Sequence, residues 1–157
     1  MPEVKDKIAS EHRIILCLGS NSGDRENHIR SAVDSLSSFF VAPAQMSDLY
    51  ETPCCKGIGA PYLNTVLYAV TWLTLEELCE AARLIERNHG RTSESKYTGI
   101  VPLDIDVVVA DSSVLRPHDM EQHYFQLGYS QLAKDGISPL PIPERQSGTY
   151  CADSAED

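Results

Sequence analysis

No apolar run in this chain approaches the roughly 18 residues that a membrane-crossing helix needs. The N-terminus, MPEVKDKIASEHR, is polar and has none of the apolar core of a secretory leader. Basic residues are scarce, 13 Lys and Arg against 23 Asp and Glu, for a formal net charge of −10. A surface of that sign repels a phosphate backbone, which argues against nucleic-acid binding. It also makes an anionic substrate hard to hold unless metal ions or a local cluster of cations intervene. The five cysteines are an odd number without CxxC spacing, so neither a zinc site nor a disulfide framework is suggested. Cys17 and Cys79 fall in apolar patterns and read as core thiols, while Cys54 and Cys55 are an adjacent pair in a loop. There is no internal repeat. Together these absences predict a cytoplasmic protein with no membrane and no nucleic-acid partner.

What is present is enough for one core. A chain of 157 residues, 42% hydrophobic and 23% charged, is of the soluble globular class and too short for two ordinary domains. IILCL, residues 14–18, ends in Gly19 and reads as a buried strand. In the GSNSGD turn that follows, Asp24 can cap a helix whose apolar positions are Ile29, Ala32, Val33, Leu36 and Phe40. Residues 44–51 read as a second strand. After the Pro/Gly loop TPCCKGIGAP comes a long strand, with Tyr62, Asn64, Val66, Tyr68, Val70 and Trp72 on one face. Thr74 and Glu77 form a capping box for a helix with Leu78, Ala82 and Ile85 as its inner stripe, and Gly90 stops it. A polar loop, RTSESKYTGI, leads to VPLDIDVVVAD, in which Leu103, Ile105 and Val107 alternate with Asp104 and Asp106.

Strand, helix, strand, strand, helix, strand is the α+β, ferredoxin-like βαββαβ pattern, an antiparallel sheet with helices packed on one face. The predicted organisation is a polar extension over 1–12, a single domain over 13–135, and a Pro-rich, acidic-ended tail over 136–157.

Charges seldom sit in apolar strands without partners, because each ion loses water at a cost of several kcal/mol. Two apart on a strand, Asp104 and Asp106 point to the same face, about 7 Å from each other at about 3.4 Å per residue. Two such carboxylates suit hard cations, and Mg²⁺ is typically held by one or two carboxylates together with phosphate oxygens. The plainer alternative is a solvated edge. GSNSGDR, after a strand and before a helix, is either a phosphate-binding turn or a tight turn with a capping Asp, and on its own the second is favoured. Tyr62 and Asn64, near Thr52 and Pro53, can stack on and hydrogen-bond a flat heterocycle, or simply pack. Arg83 and Glu86, off the apolar stripe, read as an exposed ion pair, and Arg91 can serve the helix dipole or a phosphate. His118 and His123 lack further ligands at metal spacing, and Phe125 is by default core.

Taken in order, LGSNSGDR, YETP, PYLN, IERNHGR and LDID resemble the 6-hydroxymethyl-7,8-dihydropterin pyrophosphokinase family of folate biosynthesis. The resemblance runs from about Ile14 to Leu132. It implies a ferredoxin-like fold and transfer of pyrophosphate from ATP to the pterin hydroxymethyl group, releasing AMP. It also implies two Mg²⁺ ions on Asp104 and Asp106, with Arg91 beside them as a further catalytic group. The pterin is then expected between Tyr62 and Phe125, with Thr52, Pro53, Cys55 and Asn64 at its hydrogen-bonding edge. ATP is expected along Arg83, Glu86, Arg91, Lys96, Ile105, His118 and His123. The expected partners are the small molecules ATP and a pterin, and the expected state is a monomer or weak homodimer.

Three places depart from the family pattern, one being the family's histidine–proline segment and following arginine, which here read RPHDMEQHYF with Arg116, His118 and His123 as partial substitutes. Thr98 stands where a tryptophan is expected, and Val101 where a phosphate-binding arginine is expected, leaving Lys96 as the only cation between Arg91 and the aspartates. Lost arginine contacts in related chemistry are worth about 10³ to 10⁵ in rate. The alternative they support is a catalytically weak paralogue that binds pterin or nucleotide, or acts as a scaffold.

Overall fold

Strand β1 (His12–Ser20) is buried on both faces over its last seven residues, and that sets the architecture. A strand apolar on both sides needs cover above and below. In the computed structural model, which describes residues 10–54 and 59–134, β1 lies near the middle of a six-stranded antiparallel sheet. The elements after it are α1 (Arg25–Ser37), β2 (Gln45–Met46), β3 (Tyr50–Thr52), β4 (Tyr62–Thr71) and α2 (Leu75–Asn88). Then come α3 (Ser95–Thr98), β5 (Asp104–Ala110), β6 (Ser113–Val114), α4 (Pro117–Met120) and α5 (His123–Lys134). The sheet order is β2–β4–β1–β5–β6, with β3 also paired to β4.

One face carries Ile14, Leu16 and Leu18 of β1 against Ala32 and Leu36 of α1 and Leu78, Ala82 and Ile85 of α2. The opposite face carries Ile15 and Cys17 against Phe125, Tyr129 and Leu132 of α5. The expectation of helices on one face is therefore corrected: α1 and α2 share a face, and α5 covers the other. Gly128 lets α5 approach, since a Cβ there would come within 2.5 Å of Val66 Cγ2 on β4.

Local signals formed as the pattern predicts. Asp24 caps α1 by accepting the Asn27 N–H at 3.1 Å. Thr74 and Glu77 exchange both capping-box bonds, at 2.9 and 3.1 Å. The chain leaves α2 at Gly90, whose φ of 99° suits glycine. Phe40 is buried but lies past the end of α1, bridging to Thr71. The strand expected over 44–51 is broken into β2 and β3 because Ser47 takes over part of the ladder with its side chain: Val66 N–H donates to Ser47 Oγ at 3.0 Å. The polar loop after α2 holds the short helix α3, closed by Gly99 at φ 72°. Cys17 is a free buried thiol, whereas Cys79 packs against the core as its pattern suggests but is disulfide-bonded instead of a free thiol. Among the described residues, no helix is long and apolar enough to cross a membrane.

Candidate active site

The cross-strand register assembles the site. Asp104 stands opposite Gly19, Gly19 opposite Asn64, and Asn64 opposite Tyr50, in one row across β5, β1, β4 and β3. The next row holds Asp106, Cys17 and Val66, and Tyr62 pairs with Thr52. Period-2 alternation puts these residues on the face that α5 covers, with Asp104, Asn64 and Tyr62 at the end of the sheet where β5 begins.

Among the described residues, strand β5 has a strand neighbour on its outer side only at Val109 and Ala110, where β6 pairs with it. Nearer its start, α2 supplies the missing partners. Glu86 accepts the N–H of Ile105 at 2.7 Å, and Arg83 donates to the Ile105 carbonyl at 2.7 Å. Arg83 Nε also meets Glu86 at 2.9 Å. The residue between the two aspartates is thus held by its backbone from one helix. The exposed ion pair expected at Arg83 and Glu86 is instead buried, because an edge strand's polar groups must be satisfied when covered. Ile105 presents nothing to a nucleotide through those groups, and its side chain is fully buried in the core beneath α1 and α2.

Arg91, just past α2, donates to Asp104 Oδ1 at 2.6 Å, to the Leu103 carbonyl at 3.2 Å and to Glu86 at 3.4 Å. Burial pushes the Glu86 carboxyl up, and Asp104 adds to this against Arg83 and Arg91, for a value of about 7. Burial also acts on Asp104, but the Arg91 charge and hydrogen bonds from Asp106 and Arg91 outweigh it, so Asp104 is held below the usual range. Asp106 is pushed well up, first by burial and then by the Asp104 charge, with Arg116 opposing. Its Oδ1 is buried and accepts no hydrogen bond from the described residues. A cation between the carboxylates would satisfy that oxygen and reverse the like-charge penalty. The donor set, two carboxylates with room for phosphate and water oxygens, fits Mg²⁺; among the described residues no cluster of three or more His, Cys, Asp and Glu forms a softer, closed site.

Asn64 is buried, and its Nδ2 donates to Thr52 Oγ1 at 2.8 Å and to the Tyr50 carbonyl at 3.3 Å. A side chain at Gly19 would sit 3.2 Å from both Asn64 Oδ1 and the Tyr62 ring, so glycine keeps that cradle open. Pro53 is exposed at the rim, and Cys55 lies outside the described residues. Phe125 is not brought to an open face: it is fully buried and stacks on Tyr129 with centroids 5.6 Å apart. His118 and His123 are exposed, as is Lys96, whose Nζ lies 5.3 Å from the Tyr97 ring centre.

Sequence reasoning missed what holds the loops. Asn21 donates to the carbonyls of Gly99 (2.7 Å) and Ala60 (3.2 Å) and accepts the Val101 N–H (2.7 Å), while its own N–H bonds Val101 O at 2.9 Å. Arg25 reaches Glu51 at 2.8 Å and the Pro61 carbonyl at 3.0 Å. The GSNSGDR turn therefore ties the loops flanking the site together. The only hint was a buried-type position for a polar Asn directly after a strand. A cavity of about 220 Å³ lies at the far end of the sheet, between His12, Leu75 and Asp111, away from the carboxylates.

Fold and geometry define a class: an α+β protein whose open antiparallel sheet presents, at one end, a carboxylate pair braced by arginines next to an aromatic–amide pair. A family model described as 7,8-dihydro-6-hydroxymethylpterin-pyrophosphokinase matches residues 15–143, and the chain belongs to that family. It is 37% identical over 107 residues to the "Folate synthesis bifunctional protein" of Chlamydia trachomatis, covering 64% of this chain and 24% of that protein. It is 36% identical over 96 residues to the 2-amino-4-hydroxy-6-hydroxymethyldihydropteridine pyrophosphokinase of Bacillus subtilis, covering 60% and 57%. With the enzyme of the same name from Aquifex aeolicus the identity is 34% over 107 residues, covering 66% and 64%. The matched part of the chain spans about a quarter of the bifunctional relative and under two thirds of these two single-function ones.

Proposed function

We propose that this chain transfers pyrophosphate from MgATP to 6-hydroxymethyl-7,8-dihydropterin, giving the pterin diphosphate and AMP in folate biosynthesis. The observation that carries this reading is the buried Oδ1 of Asp106 beside Asp104, which accepts no hydrogen bond from the described residues, on a face shared with Tyr62 and Asn64. Family membership and the names of the relatives favour it over a catalytically weak scaffold.

In the reaction, the pterin hydroxymethyl oxygen bonds to the β-phosphorus of ATP. The bond from that phosphorus to the oxygen bridging the α-phosphorus breaks, AMP leaves with the electron pair, and the hydroxyl proton is released. Asp104 and Asp106 would hold two Mg²⁺ ions, which supply charge neutralisation on the phosphates. Arg91 fixes Asp104 and adds positive charge at the phosphate end of the site. Glu86 and Arg83 keep β5 in place through Ile105. Asn64 and Tyr62 orient the flat ring over Gly19, and Lys96, His118 and His123 line the nucleotide's outer side. Catalysis on this reading is positioning and electrostatics.

The order of strands and helices, with the sheet order β2–β4–β1–β5, supports a ferredoxin-like topology for a domain over 13–135. The test is AMP release from MgATP with and without the pterin. Pterin-dependent AMP is the expected result. Its absence at enzyme concentrations approaching substrate overturns the reading, and calorimetric titration of pterin with MgATP then identifies a binding-only protein.

A further inference from the structure

The turn after β5 brings a cation to the carboxylate pair that the reading above leaves unused. β6 pairs back on β5 at Val109 and Val114. The N–H groups of Leu115 and Arg116 then both bond the Val108 carbonyl, at 2.8 and 3.4 Å. That anchors the Arg116 backbone alongside β5, two residues past Asp106. Its side chain is mostly buried, and its Nε lies 3.7 Å from Asp106 Oδ1. The same Nε is bonded to Asp119 Oδ2, three residues on, at the start of α4. Asp119 is itself buried, and its other oxygen accepts the Tyr124 hydroxyl from α5. Tyr124 is fixed in turn, because its carbonyl accepts the hydroxyl of Tyr50 from β3.

The result is a chain of contacts, Tyr124 to Asp119 to Arg116, that ends at the one buried Asp106 oxygen with no hydrogen bond from the described residues. At 3.7 Å the Arg116 Nε is beyond hydrogen-bond distance of Asp106 Oδ1, yet close enough for its charge to matter in a buried site. Asp119 and Asp106 compete for it, and Asp119 holds the closer contact.

We propose that Arg116 is a positioning residue for the metal-binding carboxylate: the counter-ion of Asp106, held at arm's length by Asp119 and Tyr124, whose charge a divalent cation must overcome to bind. The arrangement keeps Asp106 oriented and partly neutralised before the cation arrives, and leaves Arg116 a ready partner, Asp119, once the cation has taken Asp106. The inference rests on the reading of Asp104 and Asp106 as cation ligands, and it sets the affinity of that site.

The test is titration of the nucleotide-free full chain with Mn²⁺, followed calorimetrically, with thermal melts to confirm folding. Arg116→Met should bind Mn²⁺ roughly tenfold more tightly than the parent, the order expected for removing one nearby positive charge in a partly buried site. A merely structural loss would loosen the carboxylates and weaken binding, so the sign is diagnostic. Arg116→Lys, which keeps the charge, should stay near the parent value. Asp119→Asn, which releases Arg116 onto Asp106, should weaken binding, and that effect should shrink in the Arg116→Met background to the part that the Asp119 charge exerts on Asp106 directly. A folded Arg116→Met protein with unchanged or weaker Mn²⁺ affinity overturns the inference. If Arg116→Met does not fold, Arg116→Gln takes its place, with unchanged or weaker Mn²⁺ affinity in the folded variant overturning the inference. Asp106→Asn separates the two levels: Mn²⁺ binding that survives it sinks the cation-site reading itself, whereas its loss leaves only Arg116 in question.

Discussion

Glu86 accepts the backbone N–H of Ile105 at 2.7 Å, so a helix side chain occupies the place of a neighbouring strand at the residue between the two aspartates. The carboxylate that does this is 2% exposed and titrates at about 7, raised by burial and by Asp104 against the pull of Arg83 and Arg91.

That raised value gives a pH signature. A carboxyl that titrates higher folded than unfolded stabilises the fold fully below its unfolded value, and the contribution is lost as pH rises through about 7. Glu86→Gln keeps an acceptor for Ile105 and removes the titration. The difference in melting temperature, variant minus parent, should therefore grow between about pH 5 and pH 7 and level off above. A difference that does not change with pH contradicts the assignment. Glu86→Ala should instead melt lower at every pH, since it leaves the Ile105 N–H without an acceptor.

Asp106 separates function from stability. Its buried Oδ1 accepts no hydrogen bond from the described residues, so Asp106→Ala should fold with a melting temperature at or above the parent's. Turnover, measured as pterin-dependent AMP release, should fall by about 10³-fold or more if the carboxylate carries a cation. Wild-type activity in this variant would rule out the metal role.

Asn21 should behave as a clasp. Asn21→Ala removes the partners of the Val101 N–H and the Gly99 carbonyl, both in buried or partly buried surroundings. Each unsatisfied group costs about 1–3 kcal/mol. Denaturant melts should show a loss in that range, and the KM for the pterin should rise more than kcat falls, because the loops beside the pocket lose their tie. An unchanged KM would confine Asn21 to stability.

Gly128 tests the packing of α5. Alanine is normally the better helix residue by about 1 kcal/mol. Here its Cβ would lie 2.5 Å from Val66 Cγ2 and 2.9 Å from the Tyr50 hydroxyl. Gly128→Ala should therefore lower the melting temperature instead of raising it, and a more stable variant would mean that α5 sits further from β4.

Much of the local structure was legible. Asp24, Thr74 with Glu77, and Gly90 mark helix ends through hydrogen bonds and backbone angles that span a few residues, so their pattern is visible without any tertiary partner. The parity of Asp104 and Asp106 with Leu103, Ile105 and Val107 between them is likewise local. The break at Ser47 was not legible, because it depends on Thr65 and Val66 across the sheet. Nor was the burial of Arg83 and Glu86, which helical periodicity alone assigns to the surface.

The sequence by itself determined the order of strands and helices, their caps, and the choice of two carboxylates for one face of one strand, because propensity and alternation act over short distances. Tertiary structure alone decided that α5 covers the second face and that Val101 is held by Asn21 from eighty residues away. It also decided that Arg116 comes to lie beside Asp106. Those outcomes follow from register and from the satisfaction of buried polar groups, and both depend on which distant segments pack together.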